Sequence, residues 1–317
     1  MTDSIETTKL GASAADIAEA GQRLAGGELV AFPTETVYGL GADATNDHAV
    51  ARIFEAKGRP SFNPLIAHVP NLASAEMLCT FNEDARRLAD AFWPGALTLV
   101  LPLKPNTQIS SLVTAGGNSL ALRIPESTTA QGILQAAGKP IAAPSANPSG
   151  RISATTAAHV FAGLNGRIDA IIDDGPCPVG VESTIIGFDN GATLLRAGGI
   201  PVEALESCLG KVLQTPEKNA PLSSPGQLAS HYAPNARVRL NATEARTGEF
   251  LIGFGDIAGD ETLSATANLL EAAANLFRVL HIADAVGKPI AVAPIPHTGL
   301  GLAINDRLNR AAAPRDS

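Results

Sequence analysis

Aromatic residues and cysteines are scarce in this chain of 317 residues. Aromatic side chains make up only 4% of it, so the hydrophobic core must consist of aliphatic residues, and few rings are available on which RNA bases could stack. The three cysteines, Cys79, Cys177 and Cys208, are far apart and lack the spacing of a zinc or redox site. Their small, odd number favours a reducing compartment over a disulfide framework.

Long apolar runs and an excess of positive charge are also missing. No segment approaches the roughly 18 apolar residues of a membrane span, and the N-terminus does not resemble a signal peptide, so we expect a cytoplasmic protein with no membrane association. Lysine and arginine number 23 against 31 aspartates and glutamates, a net charge of −8. Because non-specific nucleic-acid binding relies on many cations, we expect no direct, stable binding to nucleic acid. A small basic pocket remains compatible with this charge.

The order of the apolar patterns predicts an α/β fold. Short apolar strands alternate with helical patterns at 47–57, 82–92, 127–137 and 155–164, as in a sandwich around one twisted sheet. A proline-rich stretch without apolar periodicity follows and is typical of a linker. A smaller strand–helix pattern, with a helix at 265–283, comes after it. We predict a main domain at 1–212, a linker at 213–236 and a small α/β domain at 237–317.

Two short polar segments without any carboxylate lie at 57–64 and 144–150. Lys57 and Arg59 in the first could hold phosphates, because lysine supplies a point charge and arginine a two-pronged fork. Ser145 and Asn147 in the second follow an apolar strand, where α/β sheets commonly place binding loops. Lys57 is also explained as a favourable partner of a helix C-terminus, so both interpretations stay open from the residues alone. Together the segments favour a site for a polyanion such as a nucleoside triphosphate.

Arg123 stands in an apolar strand and needs an anionic partner, from the protein or from a ligand, because an unpaired buried guanidinium is costly. A histidine in a similar strand, His68, is more often structural, and a strand–turn–strand explains segment 32–41 at least as well as a ligand site does. We find no Ser–His–Asp order, no carboxylate pair at acid–base spacing and no metal-binding cluster. The residues therefore indicate a site that works by positioning and charge stabilisation.

Ordered motifs along nearly the whole chain resemble those of the YrdC-like family. They are Pro33-Thr34-Glu35-Thr36-Val37-Tyr38-Gly39-Leu40, Lys57-x-Arg59, Asn63-Pro64-Leu65, Trp93-Pro94-Gly95-x-Leu97-Thr98, Arg123-x-Pro125 and Pro144-Ser145-Ala146-Asn147. Marks of the family's long, two-domain form are Ser224-Pro225-Gly226, His231-Tyr232-Ala233-Pro234 and Ala303-Ile304-Asn305-Asp306-Arg307-Leu308. The resemblance implies a YrdC-like twisted mixed sheet flanked by helices, followed by a small Rossmann-like α/β domain.

The activity implied by the resemblance is that of a nucleotidyltransferase. L-Threonine, bicarbonate or CO₂, and ATP would give L-threonylcarbamoyladenylate and pyrophosphate, with Mg²⁺ as cofactor beside the triphosphate. No acidic cage for the ion is visible, so phosphates and water would hold it. The product would supply a tRNA threonylcarbamoyl transferase that modifies the adenosine next to the anticodon. The linker would close over the labile adenylate.

The resemblance also implies roles for individual residues. The catalytic residues would be Lys57, Arg59, Ser145 and Asn147. The L-threonine site would comprise Thr34, Thr36, His68, Arg123, Ala143 and Ser183. The ATP site would comprise Arg59, Asn63, Ser119, Ser145, Ser153, Arg196 and Tyr232. Arg123 would then find its anionic partner in the carboxylate of threonine.

Two other functions compete with this one. Related single domains suggest an RNA-binding module without catalysis, but the acidic charge and the scarcity of aromatic residues weigh against it. A carbamoyl transferase of metallocentre assembly would share the domain, yet it normally carries zinc fingers, and this chain has no Cys-x-x-Cys pattern. The synthase is therefore the favoured interpretation, with the RNA-binding module as its main alternative.

Overall fold

The structure, a computed structural model, describes residues 5–60, 62–216 and 231–314. Residues 217–230 of the predicted linker, which include the Ser224-Pro225-Gly226 motif, lie outside the described residues. The strands are β1 (Thr8–Leu10), β2 (Val30–Pro33), β3 (Tyr38–Asp43), β4 (Ile66–His68), β5 (Leu97–Pro102), β6 (Ser119–Arg123), β7 (Ile141–Ala142), β8 (Ala170–Ile172), β9 (Thr184–Gly187), β10 (Thr193–Arg196), β11 (Val238–Arg239), β12 (Phe250–Gly253), β13 (Glu261–Thr262) and β14 (Ile290–Val292). The helices are α1 (Ala14–Ala25), α2 (Asp47–Lys57), α3 (Leu72–Leu78), α4 (Glu83–Phe92), α5 (Thr128–Ala137), α6 (Ala157–Leu164), α7 (Val202–Leu209), α8 (Leu269–Val286) and α9 (Gly301–Ala312).

Short polar residues fix where the helices begin. Several predicted helices start later than expected because a side-chain cap occupies the position before the first helical residue, where the backbone is not yet helical. These caps are Asn82, Ser127, Thr156 and Asn268. The predicted span of α2 is confirmed, and Gly58 ends it in the left-handed conformation at φ 60°. None of the described helices is long and apolar enough to cross a membrane.

The large sheet has ten strands in the order β1-β8-β2-β3-β7-β4-β6-β5-β9-β10, with both parallel and antiparallel pairs. Helices α1 and α5 pack together over one face through Leu24, Ile133 and Leu134. Helices α2 and α4 bury Ile53 and Leu88 in a second, larger core. Both cores are largely aliphatic, as the composition implies. The predicted mixed sheet flanked by helices is therefore confirmed.

The centre of this sheet brings the polar motifs together. Strands β4 and β6 run parallel with His68 paired to Arg123, so the two side chains share one end of the sheet. Residue Ala143, just after β7, donates its backbone N–H to the carbonyl of Ile66. Strands β2 and β3 form an antiparallel pair, and residues 34–37 connect them. The predicted strand–turn–strand at 32–41 is thus confirmed.

A small parallel sheet, ordered β11-β14-β12-β13, is flanked by α8 and α9. Its apolar core continues into Val37, Ile152 and Val181 of the first part of the chain, so the two parts share buried surface. Gly180 marks the closest approach: its φ is 75°, and a Cβ there would lie 2.4 Å from the carbonyl oxygen of Ala273 in α8. The proposed domain limits at 212 and 237 stay a prediction.

A stacked histidine pair also bridges the two parts. The rings of His159 in α6 and His281 in α8 lie 3.8 Å apart at an angle of 20°. Nε2 of His281 is 3.1 Å from the carbonyl oxygen of Ser153. Burial, with His281 as a second cause, lowers the pKa of His159 to about 4. Both rings therefore stay neutral at neutral pH and pack as flat, uncharged surfaces.

Candidate active site

One cavity collects most of the sequence-predicted site residues. It is lined by Val37, Arg59, Ile66, His68, Arg123, Ala143, Pro144, Ser145, Glu182, Ser183, Arg196, His231 and Tyr232. These residues come from the central strand ends, the two polar segments, the loop before β9 and the last described part of the linker. The cavity measures about 40 Å³, which is room for a few water molecules. The arrangement is therefore a closed one.

The two polar segments meet at one side of this cavity. Nζ of Lys57, at the end of α2, donates to the carbonyl oxygen of Ser145 at 2.5 Å and to that of Asn147. The second segment is also held against β3, because Ser145 forms an isolated antiparallel β-bridge with Gly39. Lys57 thus does more than face a helix end: it joins the two segments into one polar wall.

The cations on this wall are buried and have no carboxylate partner among the residues that the structure describes. Among the described residues, Lys57 and Arg59 donate hydrogen bonds to backbone carbonyls, including that of Pro64, 3.1 Å from Nη2 of Arg59. Burial lowers the pKa of Arg59 to about 10. Burial, followed by the nearby charge of Arg59, holds the pKa of Lys57 well below its ordinary value. An anion between these groups would favour their charged forms and raise both pKa values.

A carboxylate stands at the back of the cavity. Glu182 accepts hydrogen bonds from Oγ of Ser153 at 2.5 Å and from Nε of Arg307 at 3.0 Å. Burial alone would raise the pKa of Glu182, but the charges of Arg307 and Arg196 and the bond from Ser153 hold it below its ordinary value. Glu182 is therefore ionised and already occupied by protein groups.

The opposite side of the cavity surrounds Arg123, which is 4% exposed. Its Nη2 donates to Oε1 of Glu35 at 2.6 Å, and its Nε donates to the carbonyl oxygen of Gly95 at 3.3 Å. The anionic partner that the sequence demanded is thus present within the protein. The guanidinium still lines the cavity, so a ligand carboxylate could share it.

Neutral polar groups complete this side. Burial, with Arg123 as the second cause, lowers the pKa of His68 to about 3, so the imidazole is neutral and its buried Nδ1 has no hydrogen-bond partner among the described residues. Oγ of Ser183 lies 2.7 Å from Oγ1 of Thr98 and accepts from Nη2 of Arg196 at 3.2 Å. These groups could bind a small, polar ligand directly beside Arg123.

Several predicted residues stand behind the lining. Thr34 and Thr36 are buried on the turn between β2 and β3, with their hydroxyls 2.8 Å apart, and do not line the cavity. Asn147 donates from Nδ2 to two carbonyls of its own loop, and its buried Oδ1 lacks a partner among the described residues. Asn63 contributes its carbonyl to Arg59. Ser119 lies at the opposite end of β6 from Arg123, away from this lining.

Two family sequence models cover most of the chain. The Sua5/YciO/YrdC model, described as "Telomere recombination", matches residues 22–198. The model described as "Threonylcarbamoyl-AMP synthase, C-terminal domain" matches residues 200–313. The chain belongs to the Sua5/YrdC family of threonylcarbamoyl-AMP synthases. The sequence-based prediction of this family, and of an adenylate-forming nucleotidyltransferase, is confirmed.

Individual relatives support this membership along their full length. The threonylcarbamoyl-AMP synthase of Bacillus subtilis is 40% identical over 98% of this chain and 96% of its own. That of Pyrococcus abyssi is 40% identical over 91% of this chain and 92% of its own. The crystal structure of P. abyssi Sua5 complexed with L-threonine superposes with a TM-score of 0.87 at 37% identity and covers 97% of both chains.

His231 and Tyr232, in the described end of the linker, help to line the cavity of this family member. Tyr232, 1% exposed, adopts a left-handed φ of 59° and packs its ring edge-to-face against His231. The next residue, Ala233, donates its backbone N–H to the carbonyl of Gly150 at 2.8 Å, which ties the linker to the second polar segment.

Three charged residues escaped the sequence-based site list: Glu35, Glu182 and Arg307. Glu35 stands between two predicted threonine-site residues. Because the buried Arg123 needed an anionic partner, an acidic residue at this position could have been recognised as a candidate for that partner. Glu182 directly precedes Ser183 and offered a similar one. Arg307 belongs to the family-like motif at 303–308, but nothing in the sequence indicates its contact with Glu182, because its helix reaches that residue only through the fold.

The described residues form no group of three or more histidine, cysteine, aspartate or glutamate side chains that could hold a metal ion. Glu182 is the carboxylate that lines the cavity, and it is bonded to Ser153 and Arg307. The described part of the chain therefore supplies no ready cage for Mg²⁺.

Proposed function

We propose that this cavity is where L-threonine, bicarbonate or CO₂, and ATP become L-threonylcarbamoyladenylate and pyrophosphate. The observation that carries the proposal is an excess of buried positive charge. Among the described residues, the buried cations at or beside the cavity are Lys57, Arg59, Arg123, Arg196 and Arg307. The buried carboxylates beside them are Glu35 and Glu182, and the partly exposed Asp306 is a further partner of Arg307 at 3.1 Å. Such an excess is unfavourable in the empty site and is compensated by a polyanionic substrate.

The wall of polar segments would bind the triphosphate. Lys57 and Arg59 have only carbonyl partners, so the phosphates would give them their counter-charge. The other proposed ATP contacts are Asn63, Ser145, Asn147, Ser153, Arg196 and Tyr232. Ser119 is the proposed contact farthest from this wall. Mg²⁺ would enter with ATP as part of the substrate, held by phosphates and water.

The Arg123 side would bind L-threonine. Its guanidinium would share its remaining donors with the α-carboxylate, while neutral His68 offers Nδ1 as a hydrogen-bond acceptor. Ser183 and the backbone of Ala143 would contact the rest of the amino acid, with Thr34 and Thr36 shaping the turn behind. The L-threonine complex of P. abyssi Sua5 supports this choice of substrate.

The chemistry then needs two bond-forming steps. The neutral amine of threonine attacks the carbon of CO₂, loses a proton and becomes a carbamate; if bicarbonate is the source, water is released. A carbamate oxygen attacks the α-phosphorus of ATP, and pyrophosphate leaves with the electron pair of the broken P–O bond. Lys57 and Arg59 stabilise the charge that develops on pyrophosphate, and residues 231–234 exclude water from the mixed anhydride.

The product would serve a tRNA threonylcarbamoyl transferase in the cytoplasm. An acyl phosphate adenylate is labile in water, so the linker must open for release and close for synthesis. The competing RNA-binding function gains no support from the described residues, because the cations discussed above are buried in a cavity instead of spread over an exposed surface.

The test is pyrophosphate release from ATP and Mg²⁺, measured with and without L-threonine and bicarbonate. We expect release that requires both, with threonylcarbamoyladenylate identified by mass spectrometry. Release that ignores either co-substrate, or salt-sensitive RNA binding without turnover, would overturn the proposal. A surface variant, Arg86→Ala on α4, serves as the control, because its side chain is half exposed and does not line the cavity.

A further inference from the structure

Glu35 links three segments that build the proposed threonine side of the cavity. Its Oε1 accepts from Nη2 of Arg123 at 2.6 Å, and its Oε2 accepts from the backbone N–H of Glu126 at 3.0 Å. Its own carbonyl oxygen accepts from the backbone N–H of Val179 at 2.9 Å, in the loop that leads to Ser183. Glu35 is 5% exposed, so water does not compete for these bonds.

A carboxylate offers an acceptor oxygen to each of the two donors that reach the Glu35 side chain. Each of its two oxygens accepts, one from a guanidinium and one from a backbone N–H. A glutamine of the same shape has a single acceptor oxygen, so either Arg123 or Glu126 would face an NH₂ group. A buried donor that faces another donor loses its hydrogen bond and is pushed aside.

We propose that Glu35 is a positioning residue that holds Arg123 in the orientation required to bind the α-carboxylate of L-threonine. This inference rests on the proposed function. It follows from the contacts: with Nη2 bound to Glu35 and Nε bound to Gly95, the guanidinium plane is fixed on two sides and presents its remaining edge to the cavity. A fixed plane matters because arginine binds carboxylates through a directional fork.

The ion pair also sets the charge of this side of the site. Paired Arg123 and Glu35 together are neutral, so the substrate carboxylate is selected by geometry more than by net charge. Loss of the Glu35 charge would leave Arg123 with an uncompensated positive charge that attracts any anion more strongly. It would also free the Arg123 guanidinium from its fixed orientation. The expected result is weaker discrimination between L-threonine and analogues that lack the carboxylate.

The main test compares Michaelis constants of Glu35→Gln in the full-length chain. We expect the KM for L-threonine to rise about tenfold or more and the KM for ATP to change less than about twofold, because both affected bonds lie on the Arg123 side of the cavity. With threoninol, which lacks the carboxylate, the variant and the parent chain should differ little. Equal changes in both KM values, or none, would overturn the inference.

A matched control is available in Asp169→Asn. Asp169 also joins an arginine to a backbone N–H: its Oδ2 accepts from Leu29 at 2.6 Å and from Nη2 of Arg52 at 2.8 Å, and its Oδ1 accepts from the same Nη2 at 3.1 Å. Neither Asp169 nor Arg52 lines the cavity. This variant should lose stability without a change in the KM for L-threonine. If both variants shift stability and KM alike, Glu35 has only a structural role.

A double variant tests whether Glu35 acts through Arg123. Glu35→Gln added to Arg123→Met should raise the KM for L-threonine little beyond that of Arg123→Met alone. Additive effects would contradict the inference. The parent chain separates the two proposals. If it shows no threonine-dependent pyrophosphate release, the proposed function is wrong. If it releases pyrophosphate normally and Glu35→Gln leaves the KM for L-threonine unchanged, only this inference is wrong.

Discussion

The two sides of the cavity solve the problem of a buried cation in different ways. On the phosphate side, Lys57 and Arg59 donate to backbone carbonyls and have no carboxylate within the described chain. On the amino-acid side, Arg123 has its own carboxylate in Glu35. A carbonyl offers a partial charge, so the first side keeps a net positive charge and the second does not.

Under the proposed function, this difference would let one small site distinguish L-threonine from ATP. A net positive wall attracts the most highly charged ligand, which is the triphosphate. A neutral but oriented pair rejects a second phosphate and accepts a group with the shape of a carboxylate. The comparison predicts that changes on one side should affect one substrate and leave the other nearly unaffected.

The largest effect is expected from Arg59→Ala. This change removes a charged fork that would bind the triphosphate beside Lys57, and groups that stabilise developing charge typically contribute about 100-fold or more to turnover. The kcat/KM for ATP, from initial rates of pyrophosphate release, should fall by about that factor, with the melting temperature nearly unchanged. A comparable fall in Arg86→Ala would show that the effect is not specific to the site.

A smaller effect is expected from Arg123→Lys on the amino-acid side. Lysine keeps the charge next to Glu35 but lacks the planar fork, so the KM for L-threonine should rise about 10- to 100-fold. The KM for ATP should stay within about twofold of the parent value, as measured by titrating each substrate at saturation of the other. An equal loss for ATP would erase the distinction between the two sides.

A change of pH should separate the sides without mutation. Because the pKa of Lys57 is lowered in the free site, raising the pH through that value removes its proton, and anion binding must then restore it. ATP affinity should therefore fall with rising pH, with proton uptake on binding detected calorimetrically in buffers of different ionisation enthalpy. His68, with a pKa of about 3, should add no inflection to threonine binding between about pH 5 and 8.

The smallest effect is expected from the stacked pair of His159 and His281 between the two parts of the chain. This contact lies outside both sides of the cavity and serves as a reference. The pKa of His159 is about 4 in the folded state and near 6.5 when unfolded, so between these values the unfolded chain binds the extra proton and stability falls as pH falls. His159→Gln should reduce this acid sensitivity by about 1 kcal/mol, a figure discounted for solvent screening, in denaturant titrations at pH 7 and 5. Both KM values at pH 7.5 should stay unchanged.

Local rules account for the parts of the fold that were predictable. The end of α2 followed from Gly58, and the segments rich in short polar residues marked helix starts to within a few positions. Polar residues that follow apolar strands pointed to the cavity, because strand ends meet at one edge of a sheet. Arg123 was recognised as a cation in need of a partner for the same local reason.

The identity of that partner could not be predicted, since it depends on contacts between distant segments. Glu35 and Arg123 are 88 residues apart, and Arg307 reaches Glu182 across 125 residues. Such pairs are set by sheet register and domain packing, and a single sequence contains neither. The short strand β1 and helix α3 were missed for a related reason: each has few residues, and tertiary contacts stabilise it more than its own pattern does.

The close approach at Gly180 has a consequence for protein engineering. The backbone of α8 lies where a side chain would otherwise stand, so the two parts of the chain fit together only if this position has no Cβ. A chimera that joins the large sheet of one relative to the small sheet of another must therefore preserve this glycine and the path of α8 opposite it. The two domains are best exchanged between homologues as a matched pair.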